Sequence, residues 1–366
     1  MDRHIPLIIS EGTPFERGLH LGRSAQSRVL HTVTAYMEIF QRISALSRED
    51  VYTHAERFIP AIAGFAPHLL EEMRGMAEGA GCELREIVAI NARTELMYGV
   101  PHQPECTAIA VSAPASADGH LRLAQNWDWH PSLAGSLILW GLKRSDGLNL
   151  VTLTEAGIVG KIGINAAGLA MCINLLKSDS DDAGPAAPMH VILRRVLDEA
   201  HSVDEAIALI GNTRRCTSCN HLLADRHGTI ADVEATPAGQ RAHRSSQGIL
   251  THANHCDSPA LASQDRYVRE NPETRERDKR MQSLATTRPV TEDALHTMLT
   301  DHGTSPYAIC VHNQAQWSFE EQGESVASII FDLAAGTIDV ADGPPCQYEY
   351  QRYSIDKLTS YQRTNY

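Results

Sequence analysis

The pattern of apolar positions changes near residue 100. Before it, apolar residues recur three and four apart, the spacing of a helix face. Thr13-Pro14-Phe15-Glu16 sets a cap, a first-turn proline and a third-position Glu in order. This capping box predicts a helix that starts there and runs toward residue 42. Gly18 and Gly22 lie four apart on it, which suits close packing of a neighbouring helix. Further helices are predicted over about 66–79 and 84–97. Beyond Met97, segments 106–112, 120–126, 136–143, 148–154, 158–164 and 169–175 are short and rich in Val, Ile, Leu and Thr. Asp118-Gly119, Ser145-Asp146-Gly147, Ala156-Gly157 and Ala167-Gly168 separate them, and such turn signals predict antiparallel hairpins. A polar loop over 178–188 precedes two helical stretches, 189–200 and 203–211. Strand patterns return near 220–225, 229–234 and 248–253, then at 307–312, 325–333 and 336–341. A charged helix is predicted over 264–284, with its acids and bases on a solvated face. This order suits an α+β fold, with two antiparallel sheets and helices outside them.

Composition narrows the function. The chain has 366 residues, 43 % hydrophobic and 21 % charged, as globular proteins do. Its net charge of −13 and lack of a basic run argue against a nucleic-acid partner. No apolar stretch approaches the ~20 residues of a membrane span. The run Ile5 to Ile9 is shorter than the core of a secretion signal, so a cytoplasmic location is expected. Eight cysteines in this length read as reduced thiols rather than a disulfide framework.

Three places carry candidate chemistry. Cys106 opens the first predicted strand, where a thiol is either a small core residue or a nucleophile. Gln125-Asn126-Trp127-Asp128-Trp129 ends the hairpin partner. If the two strands pair, Asp128 ends close to the start of the Cys106 strand and can approach the thiol; a turn-capping Asp is an equally good reading. Thr251-His252-Ala253-Asn254-His255-Cys256 follows another strand and is either a turn or a polar site. Cys216, Cys219, His221, His252, His255 and Cys256 are zinc-ligand types, but their spacing matches no strong template. A Cys-His protease using His252 or His255 is a further alternative, as is a non-catalytic binding protein.

The chain resembles the acyl-CoA:6-aminopenicillanate (isopenicillin N) acyltransferase family of N-terminal-nucleophile hydrolases along essentially its whole length. The resemblance rests on Glu11-Gly12-Thr13-Pro14 with Gly18 and Gly22, on MAEGAGCELREIVAINARTEL (76–96), and on Glu105-Cys106-Thr107. QNWDW (125–129), EAGIVGKIGINAAGLAMCINLL (155–176), CNHLLADRHGTIADVEATP (219–237) and THANHC (251–256) continue the series. It implies a four-layer αββα sandwich with an N-terminal helical segment. It also implies self-cleavage before Cys106 into 1–105 and 106–366, which remain partners. The family enzyme has Gly before the nucleophile, whereas this chain has Glu105. The new α-amine of Cys106 would then serve as base for its own thiol. By resemblance, Asn254 belongs to the site, where its amide NH₂ suits an oxyanion donor, and Asp128 lies near the nucleophile, where it would orient the new amine, the preferred role, or assist the cleavage. No cofactor and no metal are implied. The expected substrate is a small-molecule amide, an N-acyl amine or N-acyl amino acid, hydrolysed through a Cys106 thioester. Acyl-CoA-dependent N-acyl transfer is the alternative.

Overall fold

The computed structural model describes residues 2–98, 106–182 and 184–359. Up to residue 98, strand β1 (Leu7–Gly12) is followed by helices α1 (Pro14–Ser24), α2 (Gln26–Ile43), α3 (Arg48–Phe65), α4 (Pro67–Ala80), α5 (Leu84–Asn91) and α6 (Arg93–Leu96). Strands β2 (Thr107–Val111), β3 (Arg122–Trp129), β4 (Leu137–Arg144), β5 (Leu150–Glu155), β6 (Ile162–Asn165) and β7 (Leu169–Leu175) come next. Helices α7 (Met189–Glu199) and α8 (Val203–Gly211) lead into β8 (Cys219–Asp225), β9 (Ile230–Thr236), β10 (Gly239–His243) and β11 (Ile249–His252). Four helices follow: α9 (Pro259–Ala262), α10 (Arg266–Glu270), α11 (Glu273–Leu284) and α12 (Glu292–Leu299). The described chain closes with β12 (Glu324–Asp332), β13 (Thr337–Ala341), β14 (Tyr350–Ser354) and α13 (Ile355–Thr359).

The strands form two sheets, one in the order β1-β4-β5-β6-β7-β8-β9-β10 and the other β11-β2-β3-β12-β13-β14. Among the described residues every strand pairing is antiparallel except at one edge, where β1 runs parallel to β4. The sheets face each other, β2 and β3 lying over β7 and β8. Helices α7 and α8 cover the outer face of the first sheet, α11 and α12 that of the second, which gives the expected αββα layers. The strands read as nearly continuous apolar runs because both faces are covered. In β2 the alternation is visible: Ala108 and Ala110 enter the core between the sheets, and Ile109 and Val111 meet Met281, Leu295 and Leu299 under α11 and α12. Gln125 bridges the sheets, its amide nitrogen donating to the Ile173 carbonyl and its oxygen accepting from the Ile173 N–H.

The N-terminal helices follow their sequence signals. Thr13 and Glu16 form the reciprocal cap of α1. A Cβ at Gly18 would lie 1.9 Å from the Glu72 carbonyl oxygen, and one at Gly75 would lie 2.1 Å from that of Phe15. The α1 and α4 backbones therefore touch, as only glycine permits. The predicted helix toward residue 42 is two helices, broken at Ala25. The predicted helix over 264–284 is also broken, into α10 and α11 at Asn271-Pro272. The stretch 307–312 is not a strand; side chains of Asn126 and Ser325 bind its backbone in place of a neighbouring strand. Among the described residues, no helix is long and apolar enough to cross a membrane.

A buried ion network joins the first hundred residues to the rest. Arg17 of α1 donates to Glu72 of α4 at 3.0 Å, and Glu72 accepts from Arg194 of α7 at 2.6 Å. Arg194 also holds Asp198 at 2.8 Å, which Arg144 of β4 reaches as well. Arg17, Glu72 and Arg194 are fully buried, so each charge depends on its partners.

Candidate active site

The strand pairing sets Cys106 where the turn signals indicated. Thr107 is opposite Asn126 across the β2–β3 hairpin, and Ala108 is opposite His252 on β11. Cys106 therefore sits at the mouth of the second sheet, between the ends of β3 and β11. It is buried and belongs to the core between the sheets, beside Cys172. It lines a cavity of about 10 Å³ with Arg93, Trp127, Trp129, Lys161, Ile173, Leu175 and Met189. A second cavity of about 30 Å³ shares Arg93, Trp129 and Leu175 and is edged by Lys177, Asp181 and Arg266. These volumes are those of a water molecule or so. Two cations reach the first cavity over aromatic rings, the Lys161 ammonium 3.4 Å from the Trp127 centroid and the Arg93 guanidinium 4.1 Å from that of Trp129. Glu105, which precedes the expected cut, lies outside the described residues.

Two asparagines hold backbone groups around this site. The Asn174 amide nitrogen, from β7, donates to the Cys106 carbonyl at 2.9 Å and to the His252 carbonyl at 3.2 Å. Asn254 lies two residues past the end of β11. Its amide nitrogen donates to the carbonyl of Leu175, the neighbour of Asn174, at 3.0 Å. Its oxygen accepts from Arg277 of α11 at 2.5 Å, and its backbone N–H donates to Thr274 at 2.8 Å. Cys106, Asn174 and Asn254 are thus tied into one cluster by β7 and β11.

Asp128 joins this cluster from the other side of the sheet. Alternation along β3 puts Ala124, Asn126 and Asp128 on the helix-covered face, whereas the Cys106 side chain faces the core between the sheets. Ser325 donates to one Asp128 oxygen at 2.6 Å; the other has no hydrogen-bond partner among the described residues and lies 3.8 Å from Arg277. Burial pushes the Asp128 carboxyl up to about 7, against the opposing pull of Arg277 and Ser325. Arg277 therefore spans the two positions singled out in the sequence, Asp128 and Asn254.

Arg277 and Asn174 are the residues the sequence reading passed over. Arg277 lies in the charged stretch assigned to a solvated face. Arg275, Glu276 and Lys279 are exposed there, but Thr274, Arg277, Asp278 and Met281 form a buried stripe at helical spacing. That stripe is the signal that marks Arg277. For Asn174 the signal is an amide in an otherwise apolar strand.

The rival ligand and nucleophile sets do not assemble. Cys216 packs against Gly184 and Ala186, His221 faces the Val233 carbonyl, and His255 pairs with Asp257 at 3.1 Å. His252 pairs with Asp232 at 3.1 Å, and the acids around it push its pKa up to about 10 despite burial. A protonated imidazole is unsuited to take a thiol proton. Two larger cavities, of about 640 Å³ beside Asp232, Glu234, Thr251 and Asp257 and of about 660 Å³ beside Ser112, Thr229 and Arg244, are lined by none of Cys106, Asn174 and Asn254.

The chain is similar to known proteins along most of its length. The chain is 25 % identical over 344 residues to the acyl-coenzyme A:6-aminopenicillanic-acid-acyltransferase 40 kDa form of Emericella nidulans, covering 92 % of each chain. It is 23 % identical over 383 residues to the beta-alanyl-dopamine/carcinine hydrolase of Drosophila melanogaster, covering 94 % of each. Its fold matches penicillin V acylase from Agrobacterium tumefaciens with a TM-score of 0.50 at 16 % identity, over 71 % of this chain and 89 % of that one. Residues 116–346, which include Asp128, Asn174, Asn254 and Arg277, match the model of one family. The chain belongs to the acyl-coenzyme A:6-aminopenicillanic acid acyl-transferase family, enzymes of the N-terminal-nucleophile fold that act on carbon–nitrogen amide bonds.

Proposed function

We propose that the chain is a self-processing amidohydrolase whose nucleophile is Cys106 and whose substrate is a small N-acyl amino acid or related N-acyl amine. The observation that carries this reading is that Asn174 holds the Cys106 carbonyl, while Asn254, two residues past the strand end that pairs with Ala108, holds the neighbouring Leu175 carbonyl. In the uncut chain the Cys106 nitrogen is an amide and cannot act as base. Attack of the thiol on the Glu105 carbonyl forms a thioester and frees the α-amine; water then releases residues 1–105. The new amine, with an ordinary pKa of ~7.7–8.0, takes the thiol proton. The thiolate attacks the substrate carbonyl, and the amide NH₂ of Asn254 donates to the developing oxyanion. Collapse expels the amine, which carries away the proton, and leaves an acyl thioester on Cys106. Water attacks that thioester and yields the free acid. Asp128 and Arg277 position Asn254 and set the charge beside the new amine.

Three observations support the finer parts of this reading. Lys161 and Arg93 bring positive charge to the cavity beside the thiol, which favours a carboxylate-bearing substrate over a neutral amine. The net charge of −13 offers a polyanionic acyl donor no general attraction. One relative is named as a beta-alanyl-dopamine/carcinine hydrolase. The two fragments stay together in this scheme because β1 pairs with β4 across the cut, and Arg17 and Glu72 share their charges with Arg194.

The test has two parts. Intact-mass measurement and N-terminal sequencing of active protein should give two associated chains, the second beginning at Cys106; Cys106→Ala should remain uncut and inactive. Matured enzyme should release free acid from N-acyl amino acids, and added amines should compete only weakly with water. Active protein present only as the full-length species refutes self-processing. Inert amides, with efficient turnover of acyl-CoA and an amine acceptor, would replace hydrolysis by transfer.

A further inference from the structure

Away from the thiol, His302, Cys310, His312 and Cys346 bring one ligand atom each to a common point, all lying within 4.8 Å of one another. His302 and Cys310 come from the long loop between α12 and β12, as does His312; Cys346 comes from the turn between β13 and β14. The two imidazole Nε2 atoms are 3.0 Å apart, and the two sulfurs 3.6 Å. The His312 Nε2 lies 3.7 Å from the Cys310 sulfur and 3.2 Å from the Cys346 sulfur. We propose that these four side chains form a tetrahedral Cys₂His₂ site for Zn²⁺ that fastens the 302–312 loop to the β13–β14 turn.

The distances carry the proposal. With Zn–S near ~2.3 Å and Zn–N near ~2.0–2.1 Å, a regular tetrahedron requires S···S of about 3.8 Å, N···N of about 3.3 Å and S···N of about 3.6 Å. The observed edges of 3.6, 3.0, 3.7 and 3.2 Å lie within about half an ångström of these. They do not fit a disulfide, whose sulfurs are ~2.05 Å apart, and both cysteines are free thiols. Two thiolates and two imidazoles are also the ligand types that suit Zn²⁺ best among common divalent ions. Charge balances: each thiol releases one proton on binding, and the two thiolates neutralise the dication. None of the six residues weighed as zinc ligands in the sequence takes part.

Four protein ligands leave no open position, so the metal is structural rather than catalytic. Its place in the fold gives it a task. Val311, between Cys310 and His312, exchanges hydrogen bonds with Ser325, its N–H donating to the Ser325 Oγ and its carbonyl accepting from the Ser325 N–H. The same Ser325 hydroxyl donates to Asp128. Ile309, on the other side of Cys310, accepts from Asn126. The loop thus holds the helix-covered side of β3 through backbone groups that depend on its shape, and the metal would fix that shape.

The experiment uses the full chain, purified under reducing conditions without chelator. Elemental analysis should find about one zinc per chain. After removal of zinc, Co²⁺ should bind in its place, with visible tetrahedral bands and a thiolate-to-metal charge-transfer band in the near ultraviolet. Cys346→Ser should weaken Zn²⁺ binding by about 100-fold or more, since even outer partners of ligands are worth 10–100-fold. His302→Ala removes an exposed ligand and serves as the second variant should Cys346→Ser fail to fold; it should lose Zn²⁺ to a comparable degree. The proposal is overturned if the reduced wild-type chain takes up no Zn²⁺. It is equally overturned by a Co²⁺ spectrum lacking thiolate bands, or by folded variants that bind Zn²⁺ as tightly as wild type. None of these readouts depends on turnover, so a failed amidase assay leaves the metal result standing.

Discussion

Replacing Arg277 with Met tests the link between Asp128 and Asn254 directly. Met retains an unbranched apolar stem, so the change removes a buried guanidinium while keeping apolar volume on α11. Two losses follow. Asn254 loses the charged donor to its oxygen. Hydrogen bonds to charged groups contribute about 1.5–3 kcal/mol, so an Asn254 amide free to turn should lower turnover by about 10- to 150-fold. Asp128 loses a cation 3.8 Å from its unpaired oxygen. At an effective dielectric near 20 that separation corresponds to about 4 kcal/mol, or a rise of about three in pKa. Water entering the vacated space takes back part of this, so a rise of roughly one to three above the starting value of about 7 is expected. The carboxyl is then protonated across the neutral range. The assay has two readings: the pH dependence of kcat, and a carbon-13 carboxyl titration in which Asp128→Asn identifies the resonance. The KM should change less than kcat, because in the proposed mechanism the lost bond would support oxyanion formation rather than ground-state binding. An unchanged turnover number in Arg277→Met, with Asp128 still titrating near 7, refutes the argument.

Asn254→Ala should lower kcat by about 10²–10³-fold, the cost of one oxyanion donor, with a smaller effect on KM, both read from steady-state kinetics on matured enzyme. Glu72→Gln leaves Arg17 and Arg194 buried without their shared anion and should cost about 3–5 kcal/mol in urea unfolding at neutral pH. The pKa of Asp128 is raised on folding from an ordinary ~3.9, so its contribution to stability is complete below about pH 4 and lost as the pH rises through about 7. The stability of wild type relative to Asp128→Asn should therefore fall between those pH values and level off above them; a constant difference by denaturant titration would show that Asp128 does not titrate there.

The sequence carried the local parts of this arrangement and not the long-range ones. The Asp118-Gly119 turn and the two apolar runs beside it led to a hairpin, and the register Thr107 to Asn126 is the one that brings Cys106 to the end of β3. The capping box at Thr13 and the glycine pair at 18 and 22 also have the expected roles, because both depend on residues a few positions apart or on one helix face. Strand β1 was missed because its partner, β4, lies more than a hundred residues away and nothing local marks a parallel edge pairing. Helix α3 carries Pro60 within it and ends near Gly64, which weakens its periodic signal. The segment Tyr307-Ala308-Ile309-Cys310-Val311 has a strand's composition, yet its apolar side chains are buried in a loop. The ligand cluster at His302, Cys310, His312 and Cys346 was invisible for the same reason as β1: the fold, not the spacing, brings Cys346 to the others.

The placement of Asp128 bears on how the proposed nucleophile would gain its base. Cleavage would create an ammonium at the start of β2, and carrying the register one residue further sets Cys106 opposite Trp127, beside Asp128. A bare carboxylate there would hold the proton on the amine and raise its pKa, which opposes the transfer the mechanism needs. Two features of the site reduce that effect. Burial keeps Asp128 partly protonated near neutral pH, and Arg277 sets a positive charge against the ionised form. The amine is then left close to its ordinary range of ~7.7–8.0, where an appreciable neutral fraction exists at working pH. On this argument Asp128 is more useful as a weak anion than as a strong one. In the proposed mechanism Arg277 would serve two ends with one side chain, aiming Asn254 at the oxyanion and offsetting the charge of Asp128 in its ionised fraction.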